Sequence, residues 1–151
     1  MKIGIIYYSE TKHTEQVCLG LKDALEIQGH DVTLEEVKVF DIKTDKRISF
    51  SPSINGYDLI VFGTPVQGFS LPIPMQYYLK SLTLPQKQKI EIIITQYFKI
   101  AWLGANHTIR QILDILRPAQ PDLCNTAIVH WSSKRRTDQI VTAIKRLSEI
   151  D

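Results

Sequence analysis

Short, nearly continuous apolar runs alternate along this chain with segments whose apolar residues recur every three to four positions. That alternation constrains the fold more than any other feature. The first run, Lys2 to Tyr8, reads Lys-Ile-Gly-Ile-Ile-Tyr-Tyr. It has no polar face, so it suggests a strand buried on both sides of a sheet. Similar runs follow at Tyr57 to Gly63, at Ile90 to Gln96 and at Asn125 to Trp131. The segment Asp31 to Lys38 differs: Val32 and Leu34 alternate with Thr33 and Glu35, and charge is dense, as in a half-buried edge strand. Between these runs lie four amphipathic helices. His13 to Gln28 places Val17, Cys18, Leu21, Ala24 and Leu25 on one face, and Gly29 is suited to end it. Pro74 to Leu82 opens on a proline, which loses no helical hydrogen bond there, and carries Met75, Tyr78, Leu79 and Leu82 inward. Asn106 to Leu116 is stopped by Pro118. Arg136 to Glu149 places Ile140, Val141, Ile144 and Leu147 inward. Residues 39–56 show no strong period, and Ser51-Pro52-Ser53 and Asn55-Gly56 mark them as loop or short irregular helix.

Strands separated by helical crossovers give a mostly parallel sheet covered on both faces. The charged second strand belongs at an edge, and the apolar first, third and fourth belong in the middle. The order 2-1-3-4-5 meets both conditions. The expected fold is therefore an α/β three-layer sandwich around a five-stranded parallel sheet, with residues 1–151 forming one domain. At 151 residues, with 44% hydrophobic and 23% charged, the chain has apolar material enough for one core. A net charge of +2 is too small for a nucleic-acid footprint. No apolar run is long enough for a membrane span, and no secretory leader precedes the first strand, so a cytoplasmic protein is expected. Cys18 and Cys124 make no disulfide framework, and neither they nor His30, His107 and His130 sit at metal-ligand spacing.

In the order 2-1-3-4-5 a crevice opens at the carboxyl ends of strands one and three. Two loops line it. The first is Ser9-Glu10-Thr11-Lys12-His13-Thr14. Its three hydroxyls precede a helix N-terminus, where free N–H groups and the helix dipole favour an anion such as a terminal phosphate. Lys12 adds a positive charge. A plain helix cap by Thr11 would use the same residues. The second loop is Gly63-Thr64-Pro65-Val66-Gln67-Gly68-Phe69-Ser70-Leu71-Pro72, in which Gly68 permits positive φ or close backbone approach. By itself it also suits an ordinary strand-to-helix connection.

Together the two loops resemble those of the flavodoxin family. The phosphate loop there reads Ser/Thr-x-Thr-Gly-Asn-Thr, matched by Ser9, Thr11 and Thr14. The second loop there reads Gly-Thr/Ser-Pro-Val/Ile-Trp followed by small residues and prolines, matched by Gly63, Thr64, Pro65, Val66, Pro72 and Pro74. The resemblance implies a short-chain flavodoxin-like electron-transfer protein binding FMN non-covalently. Ser9, Glu10, Thr11, Lys12, His13 and Thr14 would surround the phosphate. Thr64, Pro65, Val66, Gln67, Gly68 and Phe69 would run beside the isoalloxazine ring, with the Gln67-Gly68 peptide near its N5 edge. The loop from Gln96 through Tyr97 and Phe98 would meet the pyrimidine edge. The chain departs from the family pattern at Lys12 and His13, which replace Gly and Asn, and at Gln67, which replaces Trp. It departs again in the bulky loop from Thr95 to Gly104, where Tyr97 and then Trp102 are candidates for the missing stacking ring. Two other readings fit the same residues: an NAD(P)H-dependent FMN or quinone-type reductase, and a flavodoxin-like module that has lost FMN and acts by protein interaction. Lys134, Arg135 and Arg136 stand at the same end of the sheet and suit an acidic redox partner.

Overall fold

The computed structural model describes residues 1–99 and 104–150. Five parallel strands form the central sheet: β1 (Lys2–Tyr7), β2 (Asp31–Glu36), β5 (Leu59–Pro65), β6 (Lys89–Gln96) and β7 (Asp122–His130). Their order is β2-β1-β5-β6-β7, the expected 2-1-3-4-5 once the two strands of a separate hairpin are set aside. Helix α1 (His13–Ile27) and helix α4 (Arg136–Ser148) cover one face; α2 (Ile73–Ser81) and α3 (Ala105–Leu116) cover the other. Each central strand divides its side chains between the layers. In β1, Ile3, Ile5 and Tyr7 pack under α1 and α4, whereas Ile6 and the following Tyr8 pack under α2. The same alternation sends Ile90, Ile92 and Ile94 of β6 to one layer and Ile93 to the other. Such double-sided burial is what makes the runs almost wholly apolar.

Gly29 ends α1 at φ 90°, with the His30 N–H bonded to the Leu25 carbonyl at 3.1 Å. In α4 the inward set is Ile140, Ala143, Ile144 and Leu147. Val141, expected inward, is 61% exposed, so the apolar stripe is narrower than the sequence suggests.

Residues 39–56 differ from the sequence expectation. Here β3 (Lys38–Asp41) and β4 (Asp45–Phe50) pair antiparallel in a hairpin. The Asp41 carboxylate accepts the backbone N–H groups of Lys43 and Thr44 at 2.8 and 2.9 Å, which fixes the turn. Val39 and Ile48 face the α2 layer, while Phe40 and Phe50 face water. With four and six residues and several charges, these strands carry too little alternation to stand out.

The two rims of the sheet differ. The outer strand β2 carries Asp31, Glu35 and Glu36, whereas β7 has no charged side chain between Leu123 and Val129. Among the described residues no helix is long and apolar enough to cross a membrane.

Candidate functional site

The crevice forms at the carboxyl ends of β1, β5 and β6. β5 extends through Pro65, so Thr64 and Pro65 belong to the strand and the loop proper starts at Val66. A cavity of about 270 Å3 is lined by residues that include Glu10, Thr11, His13, Val66, Gln67 and Tyr97. A second, of about 120 Å3, shares Val66, Gln96 and Tyr97 with it and adds Gly68, Phe69 and Phe98. Larger cavities occur elsewhere, between β7 and α4 and at the opposite end of the sheet. The crevice is favoured over them because helix N-terminal donors and two loops converge on it at the topological switch point.

The loop from Ser9 to Thr14 enters α1 without a side-chain cap. The helical bonding begins with the Gln16 N–H to the Lys12 carbonyl at 3.0 Å. The amides of the first turn therefore lack a helical partner, and Thr11 does not cap them. Lys12 lies in the left-handed region at φ 67°, ψ 6°, the conformation that the family pattern fills with glycine. The three hydroxyls divide. Ser9 Oγ is buried and has no hydrogen-bond partner, Thr11 is exposed, and Thr14 Oγ1 is bonded to Thr95 Oγ1 at 2.7 Å beneath the loop. Gly63 makes that last contact possible. A Cβ there would stand 2.8 Å from Cys18 Sγ and 3.1 Å from Thr14 Cγ2, so only glycine lets α1 sit this low on β5.

Glu10 joins three segments. Its carboxylate accepts from the Tyr8 hydroxyl and from Gln67 Nε2, and it pairs with Lys46 Nζ of the hairpin at 3.1 Å. Burial and this carboxylate hold the Tyr8 phenol well above its usual range. His13 stacks on Trp131, with ring centroids 4.0 Å apart at 11°, and Arg136 covers the Trp131 ring at 4.9 Å. Burial and the Arg136 charge push the His13 imidazole below its usual range.

The second loop is a two-residue reversal. Gln67 and Ser70 exchange backbone hydrogen bonds at 2.8 and 3.0 Å around Gly68 and Phe69, both at positive φ, 54° and 62°. That is the signature of a type I′ turn. Gln111 Oε1 anchors the loop to α3 by accepting from Ser70 Oγ and the Leu71 N–H at 3.0 and 2.8 Å. The turn pushes Phe69 outward, where its ring lies 5.8 Å from that of Phe98, and Tyr97 meets Phe98 edge-on at 5.7 Å. All three rings are at least half exposed, so they rim the crevice rather than fill the core. Gln96 is buried instead. Its Nε2 donates to the Phe98 carbonyl at 3.0 Å and lies 3.1 Å from His130 Nδ1. It braces the loop. Trp102, the second ring candidate, lies outside the described residues.

The structure thus gathers Glu10, Thr11, His13, Pro65, Val66, Gln67, Gln96 and Tyr97 around one cavity. Phe98, expected with Gln96 and Tyr97 at this end, lines the second cavity, while Lys46, Thr95 and Trp131 also reach the site, and sequence reasoning did not single out their roles there. Lys46 depends on the hairpin, and Thr95 and Trp131 on strand neighbours distant in sequence.

No protein-family model matches the sequence, and no curated protein is detectably similar to it. Solved structures do match. Oxidised Flavodoxin 2 from Bacillus cereus superposes with a TM-score of 0.69 at 17% identity, covering 99% of each chain. A flavodoxin, WrbA-like protein from Agrobacterium tumefaciens gives 0.70 at 13% identity, over 95% of this chain and 90% of its own. The fold is flavodoxin-like. The Trp repressor binding protein from Bacillus subtilis matches it too, at a TM-score of 0.65 and 13% identity over the whole of both chains. The flavodoxin-like match therefore extends over nearly the whole chain.

Proposed function

We propose that this flavodoxin-like protein binds FMN in the crevice and acts as an electron carrier. The observation that carries the reading is the buried, unpartnered Ser9 Oγ beside an uncapped helix N-terminus. A phosphate would satisfy that hydroxyl and the first-turn amides together. Thr11 adds an exposed hydroxyl and Lys12 a positive charge. Lys46 offsets the nearby Glu10 carboxylate, which alone would repel an anion. The peptide from Gln67 to Gly68 and the rings of Phe69, Tyr97 and Phe98 would flank the isoalloxazine. When bound, the flavin supplies the one- and two-electron chemistry. The chain's own residues anchor the phosphate, line the ring and limit water around it. Lys134 and Arg135, exposed at the same end, supply a cationic rim for an acidic redox partner.

Titration with FMN, followed by flavin fluorescence and set beside riboflavin, tests this. Saturable binding of one FMN per chain, weaker for riboflavin, is expected. The Ser9→Ala variant should lose about tenfold in FMN affinity, since a charge-assisted hydrogen bond contributes about 1.5–3 kcal/mol. Absence of flavin binding would favour the module that acts by protein interaction. The Gln67-to-Glu10 hydrogen bond, which already links the two loops across the crevice, supports that second reading.

A further inference from the structure

The crevice occupies the carboxyl ends of the strands and leaves the outer edge of β7 unused. β7 is the last strand of its sheet, so one side of its backbone has no strand beyond it. Ala127 and Val129 pack into the α1–α4 layer, and Ile128 packs toward the α2–α3 layer. The Trp131 N–H reaches inward to the Gln96 carbonyl at 2.7 Å, whereas the His130 N–H points outward to Gln139 Oε1 at 2.8 Å. Thr126 and Ile128 share the parity of His130, so their N–H and C=O groups also point outward. Among the described residues nothing pairs with these groups. The usual guards of a free edge, a proline or a charged side chain, are missing from Leu123 to Val129.

Helix α4 runs beside this edge and encloses a cavity of about 310 Å3 against Ala127 and Ile128. Among the described residues its charged lining is Arg135, Asp138 and Arg146, two cations to one carboxylate. Both arginines are exposed and hold their present partners loosely. Arg135 Nε is 4.0 Å from Asp138 Oδ2, and Arg146 Nε donates to Asn125 Oδ1 at 3.5 Å. The two stand eleven positions apart in the sequence, about 16 Å along a helix. An extended chain covers that distance in about five residues. Toward the amino end of β7 the sign reverses at Asp122 and Glu149, which bounds the cationic stretch.

We propose that the outer edge of β7 takes up an acidic, extended segment of a partner protein as an added strand. The segment's backbone pairs with the outward groups of Thr126 and Ile128. Carboxylates on its α4 side, spaced i and i+4, meet Arg135 and Arg146. Main-chain pairing alone gives many segments some affinity, and the arginines select the acidic one. A second copy of the chain is the poorer occupant. Antiparallel pairing of two β7 strands sets the arginines of each copy against those of the other. Pairing of β7 with β2 of another copy is head-to-tail and leaves an unpaired edge at each end. Arg146 lies beside Asn125, toward the end of the sheet opposite the crevice. Its substitution therefore separates this edge from the cationic residues at the crevice.

The probe is a rhodamine-labelled, amidated hexapeptide of alternating Glu and Thr, with Gln in place of Glu as the control. Fluorescence anisotropy is expected to show saturable binding of one Glu peptide per chain. The Gln peptide should bind about tenfold more weakly, and salt should narrow the gap. Arg146→Glu should lose about five- to tenfold in affinity for the Glu peptide, because it turns an attraction into a repulsion. Thr126→Pro should abolish binding of both peptides and keep the fold, since an outward amide at a sheet edge gives up no ladder bond. Amide hydrogen exchange on the wild-type protein needs no variant: the Glu peptide should slow exchange at Thr126 and Ile128. Four results would overturn the proposal. They are no saturable binding of the Glu peptide, equal affinity for the Gln peptide, unchanged exchange at Thr126 and Ile128 on saturation, and self-association of the chain alone that Thr126→Pro abolishes. None of these readouts involves flavin.

Discussion

Replacing Lys12 by glycine separates two effects that the loop from Ser9 to Thr14 combines under the proposed function. Lys12 sits at φ 67°, where an L side chain costs about 1–2 kcal/mol relative to ordinary helical backbone. Glycine removes that cost but gives the unfolded chain more freedom, worth about 0.4–1 kcal/mol in the opposite direction. The net expectation is a stabilisation of about 0.5–1 kcal/mol. For a chain of this length that raises Tm by about 1–4 °C. Urea denaturation should show a higher midpoint with an unchanged slope. FMN affinity should fall a few-fold because a cation beside the phosphate is lost, while riboflavin affinity stays the same. Lys12→Ala is the control. It keeps the Cβ and the strain and removes the charge, so it should lose FMN affinity without gaining stability. A Lys12→Gly protein no more stable than wild type, at equal slope, would refute the strain argument. Equal loss for FMN and riboflavin would refute the charge argument.

Other outcomes follow from the same geometry. Glu91 keeps its proton in the folded state up to about pH 8, whereas the unfolded chain releases it near the ordinary 4.5. Stability should therefore fall as pH rises between those values, by at most about 4–5 kcal/mol, and level off above pH 8. Chemical denaturation of wild type and Glu91→Gln across pH 4–9 checks this, since the variant should lack that share of the decline. Gly63→Ala should destabilise by about 1–3 kcal/mol through overpacking against Cys18 and Thr14, read from the urea midpoint. Lys46→Ala should weaken FMN more than riboflavin, since it leaves the Glu10 charge unopposed, and titration of both flavins reads the difference.

Much of the architecture was legible in the sequence because double-sided burial leaves a strong mark. Ile3 to Tyr8 and Ile90 to Gln96 leave little room for any other reading. The edge position of β2 followed from Glu35 and Glu36. The hairpin was not legible, since Val39 and Ile48 meet only in space and their neighbours are charged or exposed. In the site, the loop from Ser9 to Thr14 could be found by its hydroxyls and its place before a helix. What each hydroxyl does could not. Thr14 is committed to Thr95 and Ser9 is left unpartnered, and that division depends on how low α1 sits over Gly63. Glu10 gave no sign of its role because its partners, Gln67 and Lys46, come from loops far along the chain.

The unequal rims of the sheet give the molecule a direction of growth. A strand arriving beside β2 meets the carboxylates of Asp31, Glu35 and Glu36, and an acidic or neutral newcomer gains little there. At β7 the neighbours Thr126 and Ile128 carry no charge, and the residues that share His130's parity turn their amides away from β6. His130 already spends its own amide on Gln139 Oε1 at 2.8 Å, which shields the carboxyl end of that rim. A strand approaching the middle of β7 would therefore meet no charge from the strand itself but Arg135, Asp138 and Arg146 beside Ala127 and Ile128, away from the crevice mouth.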